Sequence, residues 1–321
     1  MKTHLQVISL VFLALALAGC RSKEKSQTTR QPSPAAKAQN VPPAPPVLPQ
    51  TPVNYESDPI YQQAQGLSHS DIQKAMESLE GTIAKAPDST SNAPYYLLLG
   101  RLKKEFESCQ LDPASSPLLE PAKQCANFVD YAKSYPNEYF YNEVGGDYLY
   151  GGFQFQELEK RFPASPLAVE AAYEMTLLSQ GGECEGFLDC YVENGFGRVR
   201  EFLIRYPETS HTAEAIKRAD DAFRKTLWGD VWKTEWTEIK DPNKASDYYD
   251  PQNLKKLVQE YEELAEKLPV KSRASCWETV AHYRGKFGEK DRARTLYERI
   301  LKENPEYENT DEIRKQLSAL R

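Results

Sequence analysis

Six cysteines and four histidines are the side chains of this 321-residue sequence best suited to nucleophilic, redox or metal chemistry. Cys276 and His282 are close in sequence, but six positions apart on one helix they point to roughly opposite sides. A thiol nucleophile needs a base within hydrogen-bond reach, so Cys276 reads as a packed helix residue. Cys109, Cys125, Cys184 and Cys190 have no histidine beside them and no CxxC spacing, which argues against zinc. Disulfides fit them better. Several pairings are open from sequence alone. Local spacing favours Cys109–Cys125 across a helical hairpin and Cys184–Cys190 across the short loop EGFLD. Each bridge would then constrain its loop by about 2–3 kcal/mol in the chain-entropy picture. Carboxylate pairs such as Glu262-Glu263 belong to the polar faces of amphipathic helices. No GxxxxGK[ST] or GxGxxG run offers a phosphate cradle. The expectation is therefore a protein without catalytic residues, metal or small-molecule cofactor.

Aromatic residues suggest binding more than catalysis. Trp228, Trp232 and Trp236 recur every four residues, which on a helix makes one strip drifting about 40° per step. Such a strip is either core or a platform for a peptide or glycan, because tryptophan is enriched in binding hot spots. A second aromatic tract, Tyr139-Phe140-Tyr141 with Tyr148 and Tyr150, is flanked by Gly145-Gly146 and Gly151-Gly152 and fits no motif.

The elements that must position these residues are helical. In 254–268 the apolar residues Leu254, Leu257, Val258, Tyr261, Leu264, Ala265 and Leu268 form one stripe over four turns. Ala293, Leu296, Tyr297, Ile300 and Leu301 repeat the pattern. Ser70 with Gln73 reads as a capping box that opens a helix carrying Ile72, Ala75, Met76, Leu79 and Ile83. Further helices are expected near 94–107, 120–134, 166–179, 197–206, 212–227, 273–287 and 309–320. Several runs stop at an aromatic or apolar residue before proline: Tyr135-Pro136, Phe162-Pro163, Tyr206-Pro207 and Leu268-Pro269, with Asn304-Pro305 in the same role. Proline cannot continue a helix and marks the turn. No alternating strand pattern persists, so the body, 59–321, reads as all-α.

The N-terminus is different. Leu5 to Ala18 is apolar apart from Gln6 and Ser9, too short to span a bilayer and the length of a secretory core. It ends in Leu17-Ala18-Gly19-Cys20, which closely resembles the lipobox of bacterial lipoproteins. The resemblance implies cleavage of residues 1–19, a diacylglyceryl thioether on Cys20, and acylation of the new terminus by a fatty acid such as palmitate. Several acyl chains on one residue anchor far better than one. Arg21 stands where an aspartate often retains such proteins at the inner membrane, so the implied address is the outer membrane, facing the periplasm. Residues 21–58 are polar and proline-rich, nine prolines falling between Pro32 and Pro59, and read as a disordered tether. Fully extended it would reach about 120 Å.

Net charge is −7, and −8 once Lys2 leaves with the leader, so nucleic acid is not an expected partner. Hydrophobic residues make up 40 %, which suits a thin helical stack better than a thick globule. Residues 274–307 carry Trp277, Val280, Ala281, Gly288, Ala293, Tyr297, Ile300 and Pro305, which resemble a tetratricopeptide repeat in type and spacing. Arg284 departs from the family, which prefers tyrosine there. The stretches 153–180 and 196–225 share helix–aromatic-Pro-x-Ser-x-x-Ala–helix, loosely similar to the repeats of outer-membrane lipoproteins of the barrel-assembly family. The resemblance implies a tetratricopeptide-like helical-hairpin solenoid that binds peptides or proteins along a groove. Glu278, His282 and Lys286 then fall on the groove side of a first helix. The expected role is a lipid-anchored envelope adaptor or scaffold in assembly, trafficking or secretion. The alternative is a protein that binds or processes an envelope polymer such as peptidoglycan or exopolysaccharide.

Overall fold

The computed structural model describes residues 69–107, 128–179, 181, 184, 187–227, 243 and 250–320. The expected leader 1–19, Cys20, the expected tether 21–58, Cys109, Cys125 and the three tryptophans Trp228, Trp232 and Trp236 lie outside the described residues. The described chain is mostly helical. Its helices are α1 (His69–Lys85), α2 (Ala93–Glu107), α3 (Phe128–Ser134), α4 (Phe153–Arg161), α5 (Pro166–Thr176), α6 (Leu188–Arg205), α7 (Thr212–Leu227), α8 (Pro251–Lys267), α9 (Val270–Lys286), α10 (Lys290–Glu303) and α11 (Thr310–Ala319). None of them is long and apolar enough to cross a membrane.

Local sequence accounts for most of the boundaries. Ser165 and Asp250 cap α5 and α8, each side chain accepting from the backbone N–H two residues on, with Pro166 and Pro251 as the first helical residues. Phe162, Tyr206 and Asn304 end α4, α6 and α10 in nearly one conformation, φ −127 to −135° and ψ 52 to 64°. The following proline disfavours the α region for each of them, so one rule makes the same stop three times. Between α9 and α10, Gly288 has φ +84°. Its N–H bonds Gly285 O at 3.0 Å and that of Glu289 bonds Arg284 O at 2.9 Å, the double bond pattern of a Schellman turn. The expected capping box on α1 does not form. The helix already includes His69, and Gln73 Nε2 donates forward to Glu77 at 3.1 Å.

The all-α expectation needs correction. Tyr139–Asn142 (β1) and Asp147–Tyr150 (β2) pair as an antiparallel hairpin in the register Tyr139↔Tyr150, Phe140↔Leu149, Tyr141↔Tyr148 and Asn142↔Asp147. Gly146, at φ +70°, supplies the left-handed turn residue. Cross-strand tyrosine rings then pack at a tilt, Tyr139 against Tyr150 with centroids 5.6 Å apart and Tyr141 against Tyr148 at 5.1 Å. Aromatic pairs of this kind are a main source of strand stability. Four-residue strands of nearly unbroken aromatic character carry little alternation, which is why the tract matches no strand pattern in the sequence.

Helices pack on their sequence neighbours: α1 on α2, α4 on α5, α6 on α7, α8 on α9, α9 on α10 and α10 on α11. Next-but-one neighbours also meet, with α6 on α8 and α7 on α9. Two hydrophobic cores result. The first runs from Ile72 to Leu178 and includes the inner tyrosines of the hairpin, Tyr139 and Tyr150. The second runs from Ala172 to Ile313 around Phe196, Phe223, Tyr261 and Trp277. Each fully buried large side chain contributes roughly 1.5–3 kcal/mol. Helix α5 serves both cores. Leu167, Ala168 and Ala171 face the first, while Ala172 faces the second with Val169 and Tyr173 against it. Its three small buried alanines let helices approach from both sides.

Candidate functional site

Helix α9 carries the face singled out from the repeat pattern. Glu278 is buried rather than open. Its Oε2 accepts from Arg224 Nη2 at 2.9 Å, Tyr307 Oη at 2.7 Å and Asn309 Nδ2 at 3.0 Å. One turn deeper Asp220 of α7 accepts from Tyr261 Oη at 2.8 Å, Thr279 Oγ1 at 2.7 Å and the Ser275 hydroxyl. Burial raises the Asp220 carboxyl, and these hydroxyls and Arg224 oppose the rise. Together the two carboxylates tie α7, α8, α9 and the turn before α11 in register. Both are already served by several donors, so their visible work is structural.

His282 is half-buried, and its imidazole is pushed down to about 4 by burial, then by Lys286 and Arg224. It is therefore neutral near pH 7, without the poise of a general acid or base. Lys286, one turn on, is exposed. Cys276 is fully buried and its thiol is pushed well up by burial, as expected of a packed helix cysteine. Arg284, the departure from the repeat pattern, is buried and forked between Glu262 at 2.8 Å and Glu289 at 3.0 Å. The adjacent Tyr283 fills the aromatic place in the core and donates to Phe223 O at 3.1 Å.

Cys184 and Cys190 form a disulfide, with Cα atoms 5.5 Å apart, closing the approach to α6. Asn194 Nδ2 meets the Cys184 sulfur at 3.3 Å, so the bridge is held against the first turns of the helix. Among the described residues no three His, Cys, Asp or Glu side chains are placed to hold a metal ion.

Two features escaped the sequence reading. Lys103 of α2 is fully buried, its ammonium 2.6 Å from Glu80 and also paired with Glu138. The Tyr135 ring lies 4.5 Å from it. A signal existed: Tyr96, Leu99, Lys103 and Phe106 follow helical spacing, so this lysine stands in an apolar stripe. Buried lysines persist only when paired in this way. The second feature is the hairpin surface. Of eight exposed large apolar side chains among the described residues, five fall between Val129 and Phe153, including Phe140, Tyr141 and Val144. Isolated apolar exposure is ordinary, but this concentration is not.

Set beside known protein families, curated proteins and solved structures, the chain matches none. Its function has to be argued from its own residues.

Proposed function

We propose that the protein is a lipid-anchored adaptor of the cell envelope, whose stacked helices hold a partner protein or peptide at a distance from the membrane. The observation that carries this reading is the packing order. Helices α6 to α9 meet in sequential pairs, α6 with α7 and α8 with α9, and across pairs, α6 with α8 and α7 with α9, as in stacks of helical hairpins. Residues 274–307 form one such hairpin, with Trp277, Val280, Ala281, Ala293, Tyr297 and Ile300 all buried at its helix contacts. That supports a tetratricopeptide-like unit. The lipobox Leu17-Ala18-Gly19-Cys20 supports acylation of Cys20 and an outer-membrane address, and the proline-rich stretch 21–58 supports a tether.

The buried state of Glu278 moves the recognition surface of α9 toward Lys286. Photocrosslinking in cells from position 286, and from the segment bearing Trp228, Trp232 and Trp236, tests the adaptor reading. One reproducible envelope protein is the expected result, and its absence from every position refutes the reading. The Cys20→Ala chain should leave the membrane fraction; retention there refutes the anchor. Exposed aromatic rings at the hairpin give the polymer-binding alternative its one specific support. Pelleting with purified sacculi separates the two readings.

A further inference from the structure

We infer that the outer edge of β1, with the aromatic tip of the hairpin, docks an extended polypeptide segment that is apolar at its centre and flanked by lysine or arginine. The inference deepens the adaptor reading and rests on it for the class of partner.

Strand geometry comes first. Gly151 N–H bonds Glu138 O at 2.7 Å, which fixes the phase of the ladder. In that phase the bonded pairs are Phe140 with Leu149 and Asn142 with Asp147, and the residues between them turn their backbone groups outward. Outward groups at the base of the hairpin are taken: Tyr139 N–H by Tyr135 O at 3.0 Å, and Tyr150 N–H by the Glu107 carboxylate at 2.7 Å. At Tyr141 the outward N–H and C=O meet no partner among the described residues, and the residue is 53 % exposed. An edge of this kind templates a further strand.

Side chains select what can be added. Tyr141, packed on Tyr148, and Val144, 56 % exposed, give the tip an apolar rim. Residues 134–159 contain five carboxylates and no lysine, arginine or histidine. Glu138 is neutralised by Lys103, Glu157 by Arg161, and Glu159 by Arg205. Glu143 and Asp147, at the two ends of the turn, form no ion pair among the described residues, and Asp147 Oδ1 accepts from Asn142 Nδ2 at 2.8 Å. A second copy of this strand would bring its own Glu143 to an acidic edge, so self-pairing is disfavoured. Basic flanks around an apolar strand complement both the rim and the charge.

The test uses the full chain and two labelled nonapeptides, KKVTVFVKK and DDVTVFVDD, read by fluorescence anisotropy. The basic peptide should bind and the acidic one should not. Tyr141→Pro removes the edge N–H and should weaken binding at least tenfold. Glu143→Lys leaves the backbone unchanged, should weaken the basic peptide similarly and should improve the acidic one. Circular dichroism and thermal unfolding check that both variants fold. Binding of the basic peptide to both variants as tight as to the unaltered chain would mean attraction to bulk negative charge and overturns the inference. So does capture of purified sacculi that is lost in Tyr141→Ala without any peptide binding. The two readings fail separately. Envelope partners crosslinked from position 286 with no peptide binding leave the adaptor and remove the hairpin site. Peptide binding at the hairpin with no crosslinked partner does the reverse.

Discussion

Substitution of His282 by glutamine offers the sharpest check on how α9 is covered. The imidazole is pushed from 6.5 to about 4, first by burial and then by Lys286 and Arg224. The unfolded chain therefore takes up a proton near 6.5 that the folded chain refuses until about 4. Folded stability from this residue is intact above pH 6.5 and is lost as pH falls toward 4. At pH 4.5 the linkage integral comes to about 2–3 kcal/mol relative to pH 7.5, since a tenfold difference in proton affinity is worth about 1.4 kcal/mol. Glutamine does not titrate and removes this component. Urea unfolding of both proteins at the two pH values gives a difference of differences. The wild type should lose about 2 kcal/mol more than His282→Gln on acidification. Equal losses would refute the reasoning, because they would mean an imidazole open to water, as a free recognition surface requires.

Three further outcomes follow from other parts of the molecule. Lys103→Met keeps volume but leaves Glu80 and Glu138 facing a buried apolar chain, and should cost about 2–4 kcal/mol in urea unfolding. Adding Glu80→Gln and Glu138→Gln should restore most of it; no recovery would show that packing alone carries the loss. Gly152 has φ +80°, and a Cβ there would press on Met175 and Leu178. Gly152→Ala should lower the unfolding midpoint by several degrees, whereas Gly81→Ala, in the open middle of α1, should raise it slightly. Peptide mapping under non-reducing conditions should recover Cys184 joined to Cys190, Cys109 joined to Cys125, and Cys276 as a free thiol reacting only after unfolding. A Cys276 bridge, or labelling of native Cys276, would contradict its full burial.

Short-range physics is legible in the order of the amino acids. The apolar stripes of α8 and α10, the proline stops, the Gly288 turn and the Cys184–Cys190 bridge all depend on residues within a few positions of one another. Local conformational preference is written locally, so spacing exposes it. The hairpin was missed because its strands are only four residues long, and aromatic pairing across the turn, not alternation along the chain, stabilises them.

Amino-acid order alone thus specified the helical class, most boundaries of the described helices and the disposition of two cysteines. Whatever depends on what lies across a helix emerged only with the folded arrangement. Nothing in the spacing of Glu278 told that Arg224, Tyr307 and Asn309 would converge on it from far away in the chain and enclose it. Lys103 broke its own apolar stripe, and only folding revealed that Glu80 of α1 and Glu138 of the turn before β1 come to neutralise it. Burial and ion pairing are properties of the assembled neighbourhood. They are set by which helices meet, and that choice is made by the sum of the packing rather than by any one segment.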